Sequence, residues 1–310
     1  MYLSYSGFKS YVQCPYSYWH KYVNKTTLLS PENTVNSLYG STVGILFERF
    51  YADKLWRRKD YADFLQSIVE ETFDKAVKDQ KGRIVDWNDE KANYHSRAEL
   101  LADVRETIPR GLQVIRENRF IGPQADAEVK LDWKFGPHLV GGRADFIIRR
   151  VEPHGDLVIL DGKGSKWGGK FVEDTQLKWY AVLHRARLNV IPDALGFVFW
   201  RFEGKKATAW VKFTPVDLDV LQHEILTTMD RIATSSERLQ GVSGKLKAFD
   251  ELRQELFPAQ AGDNCRLCAY VDLCEEGKAK VAEPSPRRKP RATLPRDGVV
   301  DDGLCLDEDE

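Results

Sequence analysis

Along the first third of the chain, apolar residues recur every three or four positions, the period of helices with one buried face. Residues 4–24 place Phe8, Tyr11, Tyr18, Trp19 and Tyr22 at roughly this spacing, with Ser6 positioned to cap a helix. Pro15 interrupts that segment, since it has no N–H and its ring clashes with the preceding turn. A kink there turns Cys14 away from the packed face, although a small buried cysteine is the simpler reading of the segment alone. Residues 39–58 carry Leu46, Phe47, Phe50 and Leu55 as a stripe, with Glu48 on another face. Residues 61–118 continue with Leu65, Ile68, Val69 and Phe73, then Leu101, Val104, Ile108, Leu112 and Ile115. The span 39–120 therefore reads as a helical wall whose charged positions are solvated.

The period then falls to two. Residues 127–135 and 139–151 alternate like strands around Gly136-Pro137-His138, which predicts a hairpin. After a tight turn over 152–155, Val158, Ile159 and Leu160 form a buried strand that ends on Asp161-Gly162-Lys163. A helix is predicted over 174–186, then strands over 195–202 and 206–213. A last helix starts at Pro215, a tolerated position, and turns Leu218, Leu221, Ile225 and Ile232 inward. Helices, strands, one crossover helix, more strands and a helix predict an α/β fold with a mixed central β-sheet flanked by helices.

Length and charge narrow the picture. A chain of 310 residues with 42% hydrophobic content supports a substantial core, and its length suggests about one to two domains. The net charge of −1 conceals an uneven distribution, because Asp301, Asp302, Asp307, Glu308, Asp309 and Glu310 crowd the last ten residues. The body is thus mildly basic, compatible with a nucleic-acid partner without demonstrating one. Residues 282–310 are Pro-rich, then basic, then acidic, the composition of a disordered tail. No apolar run approaches the ~20 residues that span a bilayer, and the opening residues lack the apolar stretch of a secretory signal. A cytoplasmic protein with reduced cysteines is the expectation.

Asp161 and Lys163 lie two apart on a strand and so face the same side. This pairing suits a divalent metal beside a lysine that orients water; a surface salt bridge at a strand end is the alternative. Asp145 precedes Phe146-Ile147-Ile148, where a carboxylate costs free energy unless it is paired, as with Arg143, or bound to a cation. Gln176 and Tyr180 are four apart and share a helix face. Lys166 and Lys170 sit in a glycine-containing loop, where they face either phosphates or solvent. Cys265 and Cys268 have chelating spacing, Cys274 adds a third thiolate, and Cys14 is the available fourth, while Cys305 in the acidic tail is a poor ligand. Four cysteines hold either zinc or an iron–sulfur cluster, and spacing does not separate the two.

In this order the residues resemble the RecB-type nuclease domain of the PD-(D/E)xK superfamily. The likeness is closest to the iron–sulfur branch that includes the AddB nuclease domain and the small CRISPR-adaptation nucleases. It spans residues 4–276 and rests on the opening helix ending in Cys14-Pro15, on Glu128, on Gly142-Arg143-Ala144-Asp145 and on Leu160-Asp161-Gly162-Lys163. Gln176, Tyr180 and the distant cysteines complete it. The resemblance implies a Mg- or Mn-dependent deoxyribonuclease, an exonuclease of DNA processing, recombination or repair. A helicase, recombinase or other DNA-processing protein is the implied partner, in a bacterium or a virus of one, without a membrane. It further implies Asp145, Asp161, Lys163, Gln176 and Tyr180 as catalytic residues and Asp145, Asp161, the Gly162 carbonyl and Glu128 as metal ligands. Cys14, Cys265, Cys268 and Cys274 would bind a [4Fe–4S] cluster, with zinc as the alternative. One position departs: the family pattern Gly-x-x-x-His-x-x-x-Glu reads Gly40, Gly44 and Glu48 here, so a metal-ligating histidine is replaced by glycine. Either water fills that place around Mg²⁺, which usually keeps several waters, or the chain is a catalytically silent DNA-binding or adaptor protein.

Overall fold

Ser4, rather than Ser6, starts the first helix. A short strand, β1 (Tyr2–Ser4), leads into α1 (Tyr5–Gln13), and the Ser4 hydroxyl accepts the Gly7 N–H at 3.2 Å. The break expected at Pro15 is present: α1 stops before Cys14 and α2 (Pro15–Tyr18) restarts with proline in its first turn. The computed structural model describes residues 1–27, 34–80, 84–90, 92–121, 124–164, 175–242 and 246–283. Lys166, Lys170, Cys305 and the tail from 284 onward lie outside the described residues.

The helical wall comprises α3 (Val35–Ala52), α4 (Tyr61–Ser67), α5 (Val69–Lys78) and α6 (Arg97–Glu117). Every residue of the apolar stripes named above is buried in it. No described helix is long and apolar enough to cross a membrane.

The expected single hairpin is two structures, because each of its strands breaks once. β2 (Ala125–Lys130) pairs antiparallel with β5 (Arg143–Val151) in a five-stranded sheet. β3 (Trp133–Phe135) and β4 (His138–Gly141) form their own hairpin and join β1 in a separate sheet of three strands. The chain changes sheets at Leu131 and Gly142, where the Leu131 N–H donates to the Gly142 carbonyl at 2.9 Å. α7 (Gln176–Leu188) packs on that junction: Trp179 Nε1 donates to the Gly141 carbonyl, and a Cβ at Gly142 would meet the Tyr180 ring at 3.0 Å.

β6 (Gly155–Lys163) is antiparallel to β5 and parallel to β7 (Ala194–Phe199), with α7 as the crossover. β8 (Thr208–Trp210), shorter than predicted, closes the edge. α8 (Pro215–Gln240) begins with a reciprocal cap between Thr214 and Asp217, and α9 (Leu246–Leu256) and α10 (Glu275–Ala282) follow. Strand alternation then sorts the sheet into two faces. Phe146, Val158, Leu160 and Val198 pack against α3 and α6, while Ile147, Ile159, Phe197 and Phe199 pack against α7 and α8. Covered on both sides, β6 reads as a continuous apolar run rather than an alternating one.

Trp200, just past β7, joins the two layers. Its ring stacks on Phe47 of α3 at 4.1 Å and 15°, and Phe47 in turn leaves no room at position 111 of α6, where a Cβ would lie 2.2 Å from Phe47 Cζ. Gly111→Ala should therefore destabilise the protein by ~1–3 kcal/mol through overpacking, despite the better helix propensity of alanine. A lower urea midpoint with unchanged slope is the expected result; an unchanged midpoint would mean that Phe47 yields freely.

Candidate active site

Phe146 pairs with Leu160 across β5 and β6, so the next residues out, Asp145 and Asp161, are cross-strand neighbours. Asp161 is 1% exposed. Asp145 Oδ2 accepts the Gly162 N–H at 2.9 Å. Burial, and then the neighbouring Asp161 carboxylate, push the Asp145 pKa up to about 8 against the opposing pull of the Gly162 N–H and Lys163. Arg143, the sequence neighbour able to pair with Asp145, instead donates to Glu128 Oε2 at 3.1 Å.

Lys163 shares the Asp161 side of β6. Its Nζ lies 2.5 Å from Asp161 Oδ2 and donates to Gln176 Oε1 at 3.0 Å. Gln176 Nε2 donates to the Tyr180 hydroxyl at 2.9 Å. The Asp161–Lys163 pair is thus real but withdrawn from water, unlike a salt bridge at an exposed strand end. α7 begins at Gln176, which puts Gln176 and Tyr180 one turn apart facing the strand end. Burial, followed by the Asp161 carboxylate, raises the Tyr180 pKa, keeping its hydroxyl neutral.

A cavity of about 770 Å³ opens beside Asp145 and Gly162, under Gly40, Gly44 and Glu48 of α3. A Cβ at Gly44 would meet nothing within 4 Å, so the departure from the family pattern leaves open space. Glu128 lines the same cavity opposite Asp145, between the Ala127–Phe146 and Val129–Ala144 pairs, with a left-handed φ of 52°. Such strain in a non-glycine strand residue is characteristic of functional sites. Glu48, assigned above to a solvated face, is half-buried, and burial and then Glu128 raise its pKa. Its spacing of four from Gly44 was the available signal. Trp200 also lines the cavity, and nothing in the sequence pointed to it.

Arg201 was equally hidden. Its Nη1 pairs with Asp103 of α6 at 2.7 Å, and its Nε donates to the Gly164 carbonyl at 2.9 Å. The guanidinium lies 3.5 Å over the Tyr39 ring and also bonds the Tyr94 hydroxyl.

Two adjacent carboxylates whose repulsion already shows in Asp145 suit a divalent cation, and Mg²⁺ needs only one or two carboxylates from the protein. Asp145, Asp161 and the Gly162 carbonyl fit that requirement. Among the described residues, no group of three or more His, Cys, Asp or Glu side chains is arranged to hold a metal ion. As placed, Glu128 is engaged with Arg143.

The cysteines lie where the two ends of the chain meet. Tyr16 donates to the Leu273 carbonyl at 2.5 Å, and Cys268 Sγ is 4.0 Å from Ser17 Oγ. Cys14, Cys265, Cys268 and Cys274 are free thiols. Cys265 Sγ accepts the Gly262 N–H at 3.4 Å and Cys274 Sγ the Gly277 N–H at 3.2 Å. Burial chiefly, with Glu276 and Cys14 nearby, raises the Cys274 pKa. As placed, the four thiols are not gathered into one ligand sphere.

The sequence profile of the PD-(D/E)XK nuclease superfamily matches residues 2–275. Among solved structures, the chain is similar to a Eubacterium rectale protein described as a "putative exonuclease", at 16% identity over 76% of this chain and 81% of that one, with a TM-score of 0.44. It is also similar to SSO0001, at 14% identity over 82% and 91%, with a TM-score of 0.28. No curated protein matches.

Asp145 imposes a pH dependence of known sign. An unfolded aspartate titrates near ~4, whereas the folded one titrates at about 8. Between these values the native state binds the extra proton, so stability falls as pH rises through the window. In EDTA the Tm should decline from about pH 5 to about pH 8, and Asp145→Asn should flatten the decline. Mg²⁺ or Mn²⁺ should restore stability at the alkaline end. A metal-free Tm that rises over this range would contradict the assignment.

Proposed function

The chain belongs to the PD-(D/E)XK nuclease superfamily, and we propose that within it the protein is a Mg- or Mn-dependent deoxyribonuclease that works as an exonuclease. The observation that carries this reading is the buried run from Asp145 and Asp161 through Lys163 and Gln176 to Tyr180. Asp145, Asp161 and the Gly162 carbonyl would hold the metal, which when bound polarises the scissile phosphate and lowers the pKa of a water. Lys163, fixed between Asp161 and Gln176, orients that water and offsets charge growing on the phosphate. Gln176 is a positioning residue that acts through Lys163, and the neutral Tyr180 hydroxyl holds Gln176 in turn. The mildly basic body supports DNA as the substrate. A helicase, recombinase or similar DNA-processing partner, in the cytoplasm of a bacterium or through a virus of one, completes the proposal.

The open space at Gly44 favours a second reading, a DNA-binding protein that has kept the fold without cutting. Digestion of end-labelled single- and double-stranded DNA with Mg²⁺ or Mn²⁺ separates the two. We expect cutting by the wild type, no cutting by Asp161→Asn and a loss of ~10²–10³-fold in Lys163→Ala. Gln176→Ala should lose less and displace the pH optimum. Equal trace activity in wild type and Lys163→Ala would sink the nuclease reading. DNA binding that survives Asp145→Ala and Asp161→Ala, without cleavage, would establish the silent one.

We further propose that Cys14, Cys265, Cys268 and Cys274 bind a structural [4Fe–4S] cluster, with zinc as the alternative. Two amide-to-sulfur hydrogen bonds support it, being the kind that tune cluster thiolates. The meeting of the chain ends around Tyr16 and Leu273 does so too. Anaerobically purified protein should be brown and contain iron and sulfide in equal amounts, and Cys274→Ser should lose both colour and Tm. Colourless protein with stoichiometric zinc would rule the cluster out.

A further inference from the structure

We propose that the outer face of the three-stranded sheet binds single-stranded DNA beside the ends of β5 and β6: Tyr2 stacks a base, and Lys130, Lys134 and Arg143 hold the neighbouring phosphates. That the bound strand leads to a cut rests on the nuclease reading; that the surface binds it does not.

Register defines the face. Tyr2 of β1, Leu139 of β4 and Lys134 of β3 lie in one row across the sheet, and Leu3, Val140 and Trp133 lie in the next. Successive rows point to opposite sides. The second row turns Leu3 and Val140 into the core, while Tyr2, Leu139 and Lys134 of the first stay exposed. A Cβ at Gly141 would lie 2.5 Å from the Tyr2 hydroxyl oxygen and 2.6 Å from its Cε2, so that end of the ring rests on bare backbone. The residue is nonetheless 54% exposed. An aromatic ring anchored on the protein, with much of its surface open, is a platform on which an unpaired base stacks.

Single exposed tyrosines are ordinary; the company of this one is not. Lys130 pairs with Asp132 at 2.8 Å and Arg143 with Glu128 at 3.1 Å. In both pairs the cation stands outward: the Lys130 side chain is 72% exposed against 23% for Asp132, and that of Arg143 64% against 32% for Glu128. An approaching anion therefore meets the ammonium and the guanidinium first. Exposed pairs of this kind are weak enough to trade a carboxylate for a phosphate. Lys130 and Arg143 are cross-strand partners on β2 and β5. Both reach the Tyr2 hydroxyl electrostatically: burial and then Asp132 raise its pKa, while Lys130 and Arg143 pull it down. Ring and cations thus share one neighbourhood. Arg143 is two residues from Asp145 on the same side of β5, about 7 Å along the strand, so the surface adjoins the paired carboxylates. Outward cations beside an open aromatic ring complement a single strand, whose backbone is anionic and whose bases are free to stack.

The test is fluorescence anisotropy of a short labelled single strand in EDTA, repeated over a range of salt concentrations. Lys130→Gln and Lys134→Gln should each flatten the slope of log affinity against log salt by ~0.7, the share of one phosphate contact on a single strand. Tyr2→Leu should weaken binding at least ~5-fold with the slope unchanged, and Tyr2→Phe, which keeps the ring, should bind as the wild type. Trp133→Leu is the control, since that exposed ring belongs to the opposite row. Undiminished affinity in Tyr2→Leu, unchanged slopes in both lysine variants, or an equal loss in Trp133→Leu would overturn the proposal. So would a Tyr2→Leu protein that sediments differently and binds DNA normally, which would make the face a contact between copies of the chain. If no DNA is cut with Mg²⁺ or Mn²⁺, the nuclease reading has failed while the binding series still decides the surface.

Discussion

Two carboxylates held side by side, away from water, at the ends of neighbouring antiparallel strands are the constraint that the rest of the molecule serves. Asp145 and Asp161 repel one another, and burial in an apolar sheet aggravates the repulsion. The structure answers with groups that favour charge: the Gly162 amide on Asp145 and the Lys163 ammonium on Asp161. Lys163 must itself be held, which falls to Gln176, and Gln176 to Tyr180. The crossover helix is thus fixed by chemistry at its first turn and by apolar packing along the remainder.

Much of this was legible in the residues. The helical stripes of the wall are buried as their period demands, because one-sided burial is what a 3.6-residue repeat encodes. Strand period paired Asp161 with Lys163 and helix period paired Gln176 with Tyr180, while the family resemblance joined the two pairs into one site. Three things were not legible. The chain changes sheets at Leu131 and Gly142 without disturbing the alternation of apolar residues, so periodicity cannot mark the switch. Ser4 and Ser6 are equivalent as caps on paper, and only the pairing of β1 with β4 decides between them. Trp200 and Arg201 follow an apolar strand, and their roles depend on partners more than ninety positions away in sequence.

The glycines near the site divide into two kinds. Gly111 and Gly162 are dictated by packing, since Phe47 occupies the space of a side chain at one and Trp200 at the other. Gly44 answers to no such demand: its surroundings are empty and its helical conformation is open to any residue. Glycine is a poor helix former at an interior position. The opening it leaves is therefore not a by-product of helix packing, whereas the shape of the wall facing it is.

Arg201 ties the exit of β6, through the Gly164 carbonyl, to Asp103 of α6 in the helical wall. Its side chain is only 11% exposed, so separating the layers would strand a charge in apolar surroundings. The strand end and the wall consequently belong to one cooperative unit. Local fraying is thereby suppressed at Lys163, and the two paired carboxylates share the opening energy of the core rather than that of the surface.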